Sequence, residues 1–319
     1  MEGDAGHGPG RCPERVATPL VASGADPWVV RWADAYYYCR VEPDGTVRIG
    51  RAATLADVAR AEFRDVWTPP PGTPYSHDVW APELHRLDGR WYVYVAAGDG
   101  DNRTHRMHVL VGPEGDPRGD YRYGGTISDA ADRWAIDGTV AEIAGRRYFV
   151  WSSWPSDVDV QQDLTIAAMV SPTELAGTGV RISSPEHPWE RVGRPVVNEA
   201  PQLLTRGDRT FLVYSASGSW TDDYCLGRLE LVGADPLDPA SWVKHPEPVF
   251  ARTADVQAPG HACFVTTCGG TCDWIVYHAA KHPGAGWDRD VRAQRFTWAA
   301  DGTPDFGRPV PPDRAGRDA

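Results

Sequence analysis

Asp-Gly occurs at five places in this chain, at Asp44, Asp88, Asp99, Asp137 and Asp301. Between apolar residues the pair is the strongest short hairpin signal a sequence carries, so the bland reading of each is a turn. Asp137, in AIDGTV, differs by its place in a larger pattern. It stands fourteen residues before Trp151, while Asp26 in GADPWVV stands twelve before Tyr38 and Glu199 in VVNEAPQLL fifteen before Tyr214. Three acids in one shared register are a set suited to acid–base chemistry, because the charge of one raises the pKa of another. The matching segments elsewhere are DVWAPELH, with Trp80 and Glu83, and APGHACFV, with His261.

The elements that must position these residues repeat along the chain. A turn, a strand rich in aromatic and β-branched residues, and then small residues recur in WADAYYYCRV, LDGRWYVYVAA, AGRRYFVWSS, RGDRTFLVYSAS and CDWIVYHAA. Aligned on Tyr38, Tyr94, Trp151, Tyr214 and Tyr277, the copies lie 56, 57, 63 and 63 residues apart. A period near 60 built of strand and turn predicts propeller blades. Helical periodicity is nearly absent, with TLADVARAEF as the one short candidate. The expected fold is all-β: a five-bladed β-propeller of four-stranded antiparallel blades around a central channel. It should span residues 26–310, with an N-terminal lead and closing segment (1–25) and a C-terminal tail (311–319). In such a fold the inner strands converge at one mouth, so residues some 60 apart become neighbours.

Composition narrows the partners. The chain has 319 residues, 41% of them apolar, enough for a large core. The net charge of -12 and the lack of a basic run argue against nucleic acid or an anionic membrane surface. The first twenty residues hold no apolar signal region, so the expectation is a cytoplasmic protein unless an export signal was removed. Six cysteines have neither disulfide-framework density nor zinc-ligand spacing, and read as reduced thiols. Fourteen Trp and twelve Tyr against seven Phe suit sugar rings, although they also suit ordinary cores.

The ordered set ADPWVV, WAPELH, AIDGTV, NEAPQLL and WIVYHAA resembles glycoside hydrolase family 43 over nearly the whole chain. The wording of HRMHVL, DRWAIDGTV and YSASGSWTDDYCLG is most similar to its exo-acting α-L-arabinofuranosidases. The resemblance implies an inverting hydrolase releasing terminal arabinofuranose from arabinan or arabino-oligosaccharides. It implies Asp26 as general base, Glu199 as general acid, and Asp137 as the acid that tunes Glu199 and helps hold the substrate. Inverting chemistry needs such a pair about 6.5–9.5 Å apart, with room for a water. Substrate contacts are expected from Trp80, Ile136, His261 and Arg292, the last in DRDVRAQRF. No cofactor is required; a calcium or sodium ion in the channel, reached through water by His278, is the metal the resemblance allows. Ala200 and Ala258 stand where the family often has Gly, and Ala262 where it often has Asn. These departures touch pocket shape and leave the carboxylates in place.

Other readings remain open at this level. A β-xylosidase or an endo-arabinanase of the same fold would differ in pocket and loops. A non-catalytic sugar-binding propeller would have no need of three acids in one register. A metal-dependent phosphatase would need several acidic ligand clusters, and only DGDN near Asp99 and Asp101 hints at one.

Overall fold

The computed structural model describes residues 15–313. It is built almost wholly of strands, and its helical pieces are short 3₁₀ turns, including Leu55–Arg60 inside TLADVARAEF. The first sheet runs in order through β1 (Trp28–Trp32), β2 (Ala35–Val41), β3 (Val47–Ala52) and β4 (Glu62–Trp67). The second runs through β5 (His77–Leu87), β6 (Arg90–Gly98), β7 (Arg106–Val111) and β8 (Arg122–Thr126).

A nine-stranded sheet follows. It contains β9 (Ala135–Ile143), β10 (Arg146–Ser153), β11 (Gln161–Ser171), β12 (Glu174–Leu175) and β13 (Val180–Ser183), then β14 (Val196–Arg206), β15 (Arg209–Ala216), β16 (Cys225–Leu231) and β17 (Trp242–Lys244). Its two runs are joined only by a short parallel contact, Gln161 with Val196 and Gln162 with Val197. The last sheet is β18 (Gln257–Thr267), β19 (Cys272–Ala280), β20 (Arg289–Trp298) and β21 (Pro304–Asp305). Apart from that contact, neighbouring strands are antiparallel.

The first strand of each run touches the next: β1 meets β5, β5 meets β9, β9 meets β14, β14 meets β18, and β18 returns to β1. The second strands carry the repeat's anchors. Tyr38, Tyr94, Trp151, Tyr214 and Tyr277 are all buried and pack into the apolar layers between successive strand runs. A large flat side chain at each equivalent place fills the wedge between sheets. The segment before β1 joins the far end of the chain, through paired hydrogen bonds between Val21 and Val291 (3.0 and 2.9 Å). Leu20 and Val21 are buried against β18 and β19.

The expected turns are present at Asp44, Asp88, Asp99 and Asp301. Asp88 also pairs with Arg147 across two sheets (2.7 Å). Asp137 differs. Its Asp-Gly, expected to turn the chain into the inner strand, lies within β9. The described residues contain no disulfide, and Cys12 lies outside them. No helix among them is long and apolar enough to cross a membrane.

Candidate active site

Five residues in or just before the ring-forming strands share one unusual backbone. Asp26 (φ 46°), Ala81 (46°), Asp137 (54°), Ala200 (49°) and Ala258 (49°) all lie in the left-handed region. Each is followed by Pro or Gly: Pro27, Pro82, Gly138, Pro201 and Pro259. The ladder slips at this place in four of the five strands, at Trp80/Glu83, Ile136/Thr139, Glu199/Gln202 and Gln257/Gly260. These are β-bulges, which bend a strand and re-aim its side chains. Positive φ at non-glycine residues is costly and tends to persist at functional sites.

The bulge corrects the register inferred from the sequence. Asp26 and Asp137 are equivalent, whereas Glu199 stands one residue earlier, level with Trp80 and Ile136. The backbone N–H of Ala200 donates to Asp137 Oδ2 (3.2 Å), so the one-residue offset brings the acids of neighbouring strands together.

Asp26, Asp137 and His261 form the centre. His261 Nδ1 lies 3.1 Å from Asp26 Oδ1 and 3.9 Å from Asp137 Oδ2. His278 Nδ1 accepts the backbone N–H of Asp26 (3.1 Å), and its ring stacks on Tyr224 at 5.5 Å. Burial pushes the Asp26 carboxyl up, but His261, His278 and Arg289 outweigh it and hold the group below the usual carboxylate range. Both imidazoles are themselves driven down by burial, His278 to about 3, so at neutral pH they act as dipoles. Arg289, 3.8 Å away, adds a guanidinium charge that also favours the ionised carboxylate.

Glu199 is pushed the other way. Burial raises its pKa to about 7; the charge of Asp26 adds to this, while a hydrogen bond from Tyr224 and the charge of Arg289 oppose it. The Tyr224 hydroxyl donates to Oε1 at 2.7 Å. Asp137 is also raised, first by burial and then by the charges of Glu199, Asp26 and Glu83. Asp137 and Glu199 titrate as a pair that retains a proton well above the ordinary carboxylate range.

Trp80 is 36% exposed and lies flat on His105, with ring centres 4.0 Å apart. Ile136 is buried beside Asp137. Glu83 is a hydrogen-bonded structural acid, bonding Gln202 (2.5 Å) on β14 and His85 (2.9 Å) on its own strand β5.

Arg292 is not where the sequence reading put it. Its guanidinium is buried and clasped by Asp290 (2.6 and 3.2 Å), on the strand face opposite to the acids. Side chains alternate along a strand. In β20, Arg289 pairs with Ala280 on the face that His278 shares with Val291, while Arg292 pairs with Tyr277 on the other. Arg289 and Tyr224 are the site residues sequence reasoning missed. The facing of Arg289 is counted from cross-strand partners in β20, and Tyr224, although within YSASGSWTDDYCLG, lies outside the repeated segments that were aligned.

Among the described residues no cluster of three or more His, Cys, Asp or Glu is arranged to hold a metal ion. Asp101 is engaged by Arg103, and Asp99 by Thr104 and the Asp101 backbone, which makes DGDN a hydrogen-bonded loop.

A carboxyl held ionised near two that are raised, brought together by five strands that touch in a cycle, is an arrangement suited to acid–base hydrolysis. The family match agrees: the description "Glycosyl hydrolases family 43" covers residues 18–304, and the chain belongs to that family. Among its relatives is the extracellular exo-α-(1→5)-L-arabinofuranosidase of Streptomyces avermitilis, 37% identical over 92% of this chain. The chain spans only 63% of that protein's length. The enzyme of the same description from Streptomyces chartreusis is 35% identical, covering 85% of this chain and 84% of its own. The solved α-L-arabinofuranosidase of Lactobacillus brevis superposes with a TM-score of 0.87 at 34% identity, over 93% of this chain and 98% of its own.

Proposed function

We propose that this chain is an inverting α-L-arabinofuranosidase that removes terminal arabinofuranose from arabinan or arabino-oligosaccharides. The observation that carries the reading is the opposed protonation of two carboxyls in one site. Asp26 is held ionised by His261, His278 and Arg289, while Glu199 is raised to about 7. Two acids whose surroundings drive their pKa values apart mark the base and the acid of a hydrolase. Asp26, with 26% of its side chain open, deprotonates the attacking water. Glu199 protonates the leaving oxygen; Tyr224 occupies Oε1, leaving Oε2 to carry the proton. Asp137 titrates together with Glu199, the charge of Glu199 helping to raise it, so the two carboxyls together retain the proton. Trp80, Ile136, His261 and Arg289 form the sugar pocket. The relatives' names support arabinose as the sugar, and two of them support export as a place of action.

The same reading takes the fold as a five-bladed propeller over residues 26–310. The nine-stranded sheet is then two blades joined by a two-residue contact, and the closed cycle of β1, β5, β9, β14 and β18 is the channel wall. Residues 15–25 would close the ring; the rest of the expected lead (1–14) and most of the expected tail (314–319) lie outside the described residues. His278 bears on the channel ion. Its Nδ1 accepts a backbone N–H, so Nε2 carries the hydrogen, and that atom is buried without a protein partner. An N–H group cannot ligate a cation, so His278 would reach one only through water.

The test is NMR of the first sugar released from an aryl arabinofuranoside. Inversion of the anomeric centre is expected; net retention would sink the mechanism. Asp26→Ala should be almost inactive on every substrate, whereas Glu199→Ala should retain far more activity where the leaving group needs no proton.

A further inference from the structure

We infer that Trp287 is the platform on which the leaving sugar rests, a stacking surface on the acid's side of the pocket. This rests on the arabinofuranosidase reading. The general acid must stand on the side where the bond breaks, because it protonates the departing oxygen. Glu199 is held there by Tyr224, the end of the loop of residues 217–224 that follows β15.

Against that loop lies a second one, residues 281–288, between β19 and β20. Its base is closed by the Lys281–Asp288 ion pair (2.7 Å) and by the Lys281 N–H donating to the Asp288 carbonyl (3.1 Å). Three hydrogen bonds clamp the loops together: Gly284 N–H to Asp222 Oδ1 (2.8 Å), Trp287 Nε1–H to Ser219 Oγ (3.3 Å), and Arg289 Nη2 to the Ser219 carbonyl (2.9 Å). Trp220 meets the Trp287 ring edge-on, with centres 6.4 Å apart. Trp287 therefore stands two residues from the arginine beside Asp26, bonded to the loop that holds Glu199.

Despite these restraints the indole is 69% exposed, more than any other large apolar side chain among the described residues. Its one polar atom is engaged with Ser219, so what it offers to solvent is an aromatic face. A core residue would hide that face. A rigid, open indole at the rim matches the C–H face of a furanose ring, with the geometry set before binding.

A bracing role for Arg289 would also explain the clamps, and kinetics separates the two. The substrates are α-1,5-arabinotriose, whose leaving group is a sugar, and α-L-arabinofuranosyl fluoride, whose leaving group has no ring. Trp287→Ala should raise KM for arabinotriose about tenfold with kcat unchanged, the size of one aromatic contact. On the fluoride it should match wild type, and Trp287→Phe should recover most of the loss. An equal loss on the fluoride would make Trp287 a brace, and no change on either substrate would leave it no role; each outcome overturns the platform. Wild-type protein that cleaves neither substrate overturns the arabinofuranosidase reading itself, a result distinct from both.

Discussion

At the residue scale, the proposed chemistry turns on two buried carboxyls, Asp137 and Glu199, both raised above the ordinary carboxylate range. Asp137→Asn removes a like charge from beside Glu199, so the acid should ionise more readily. The basic limb of the kcat/KM profile should then move to lower pH, and a limb that stays in place would remove Asp137 from the tuning role. The same pKa has a stability consequence. Glu199 binds its proton more tightly folded than unfolded, rising from 4.5 to about 7. Between those values the folded state holds more protons than the unfolded one, so stability falls as pH rises through the window and is level above it. Glu199→Gln removes the cost of a buried charge. It should be more stable than wild type at pH 8 by roughly 1–3 kcal/mol, with little gain at pH 4. Thermal midpoints across that range check the sign.

At the element scale, the bulge does what a regular strand cannot. It places Glu199 one residue ahead of the position that Asp26 and Asp137 occupy in their own strands. Ala200 holds this turn of the backbone at φ 49° and donates its N–H to Asp137. A β-branched residue fits poorly there, so Ala200→Val should lose about 1–3 kcal/mol of stability. It should lose kcat/KM as well, because the acid and its modulator move together. Ala258→Gly makes the comparison: Ala258 has the same φ, stands away from the acids in sequence, and glycine adopts the conformation freely. It should leave both quantities near wild type. Urea unfolding and kcat/KM on one aryl substrate decide the pair. The repeat of Asp-Pro, Ala-Pro, Asp-Gly, Ala-Pro and Ala-Pro was present in the sequence all along. The acids were aligned on the aromatic anchors instead, and a bulge adds one residue to a strand without leaving a mark in hydrophobic alternation.

At the scale of the whole molecule, the site exists only while the cycle of five strands is closed. Part of the closure lies in Leu20 and Val21, packed on β18 and β19 and bonded to Val291, two residues beyond Arg289. Leu20→Ala should therefore cost about 2–5 kcal/mol, as for a buried leucine, and lower the thermal midpoint of the entire protein. A normal midpoint with normal activity would mean that this segment is not needed for closure.

The all-β character, the period, the family resemblance and the three candidate acids are all legible in the chain before it folds. Each of these is written in short local words that survive without the fold. Which arginine faces Asp26 is set by the fold, because parity in β20 is counted from cross-strand partners that no local word names. The protonation of the acids is likewise a property of the folded chain. The protonation of Glu199 is set by burial, by Tyr224 on a separate loop and by Asp26 from the other end of the chain. A pKa is a sum over everything that surrounds a group in space, and sequence distance does not enter that sum.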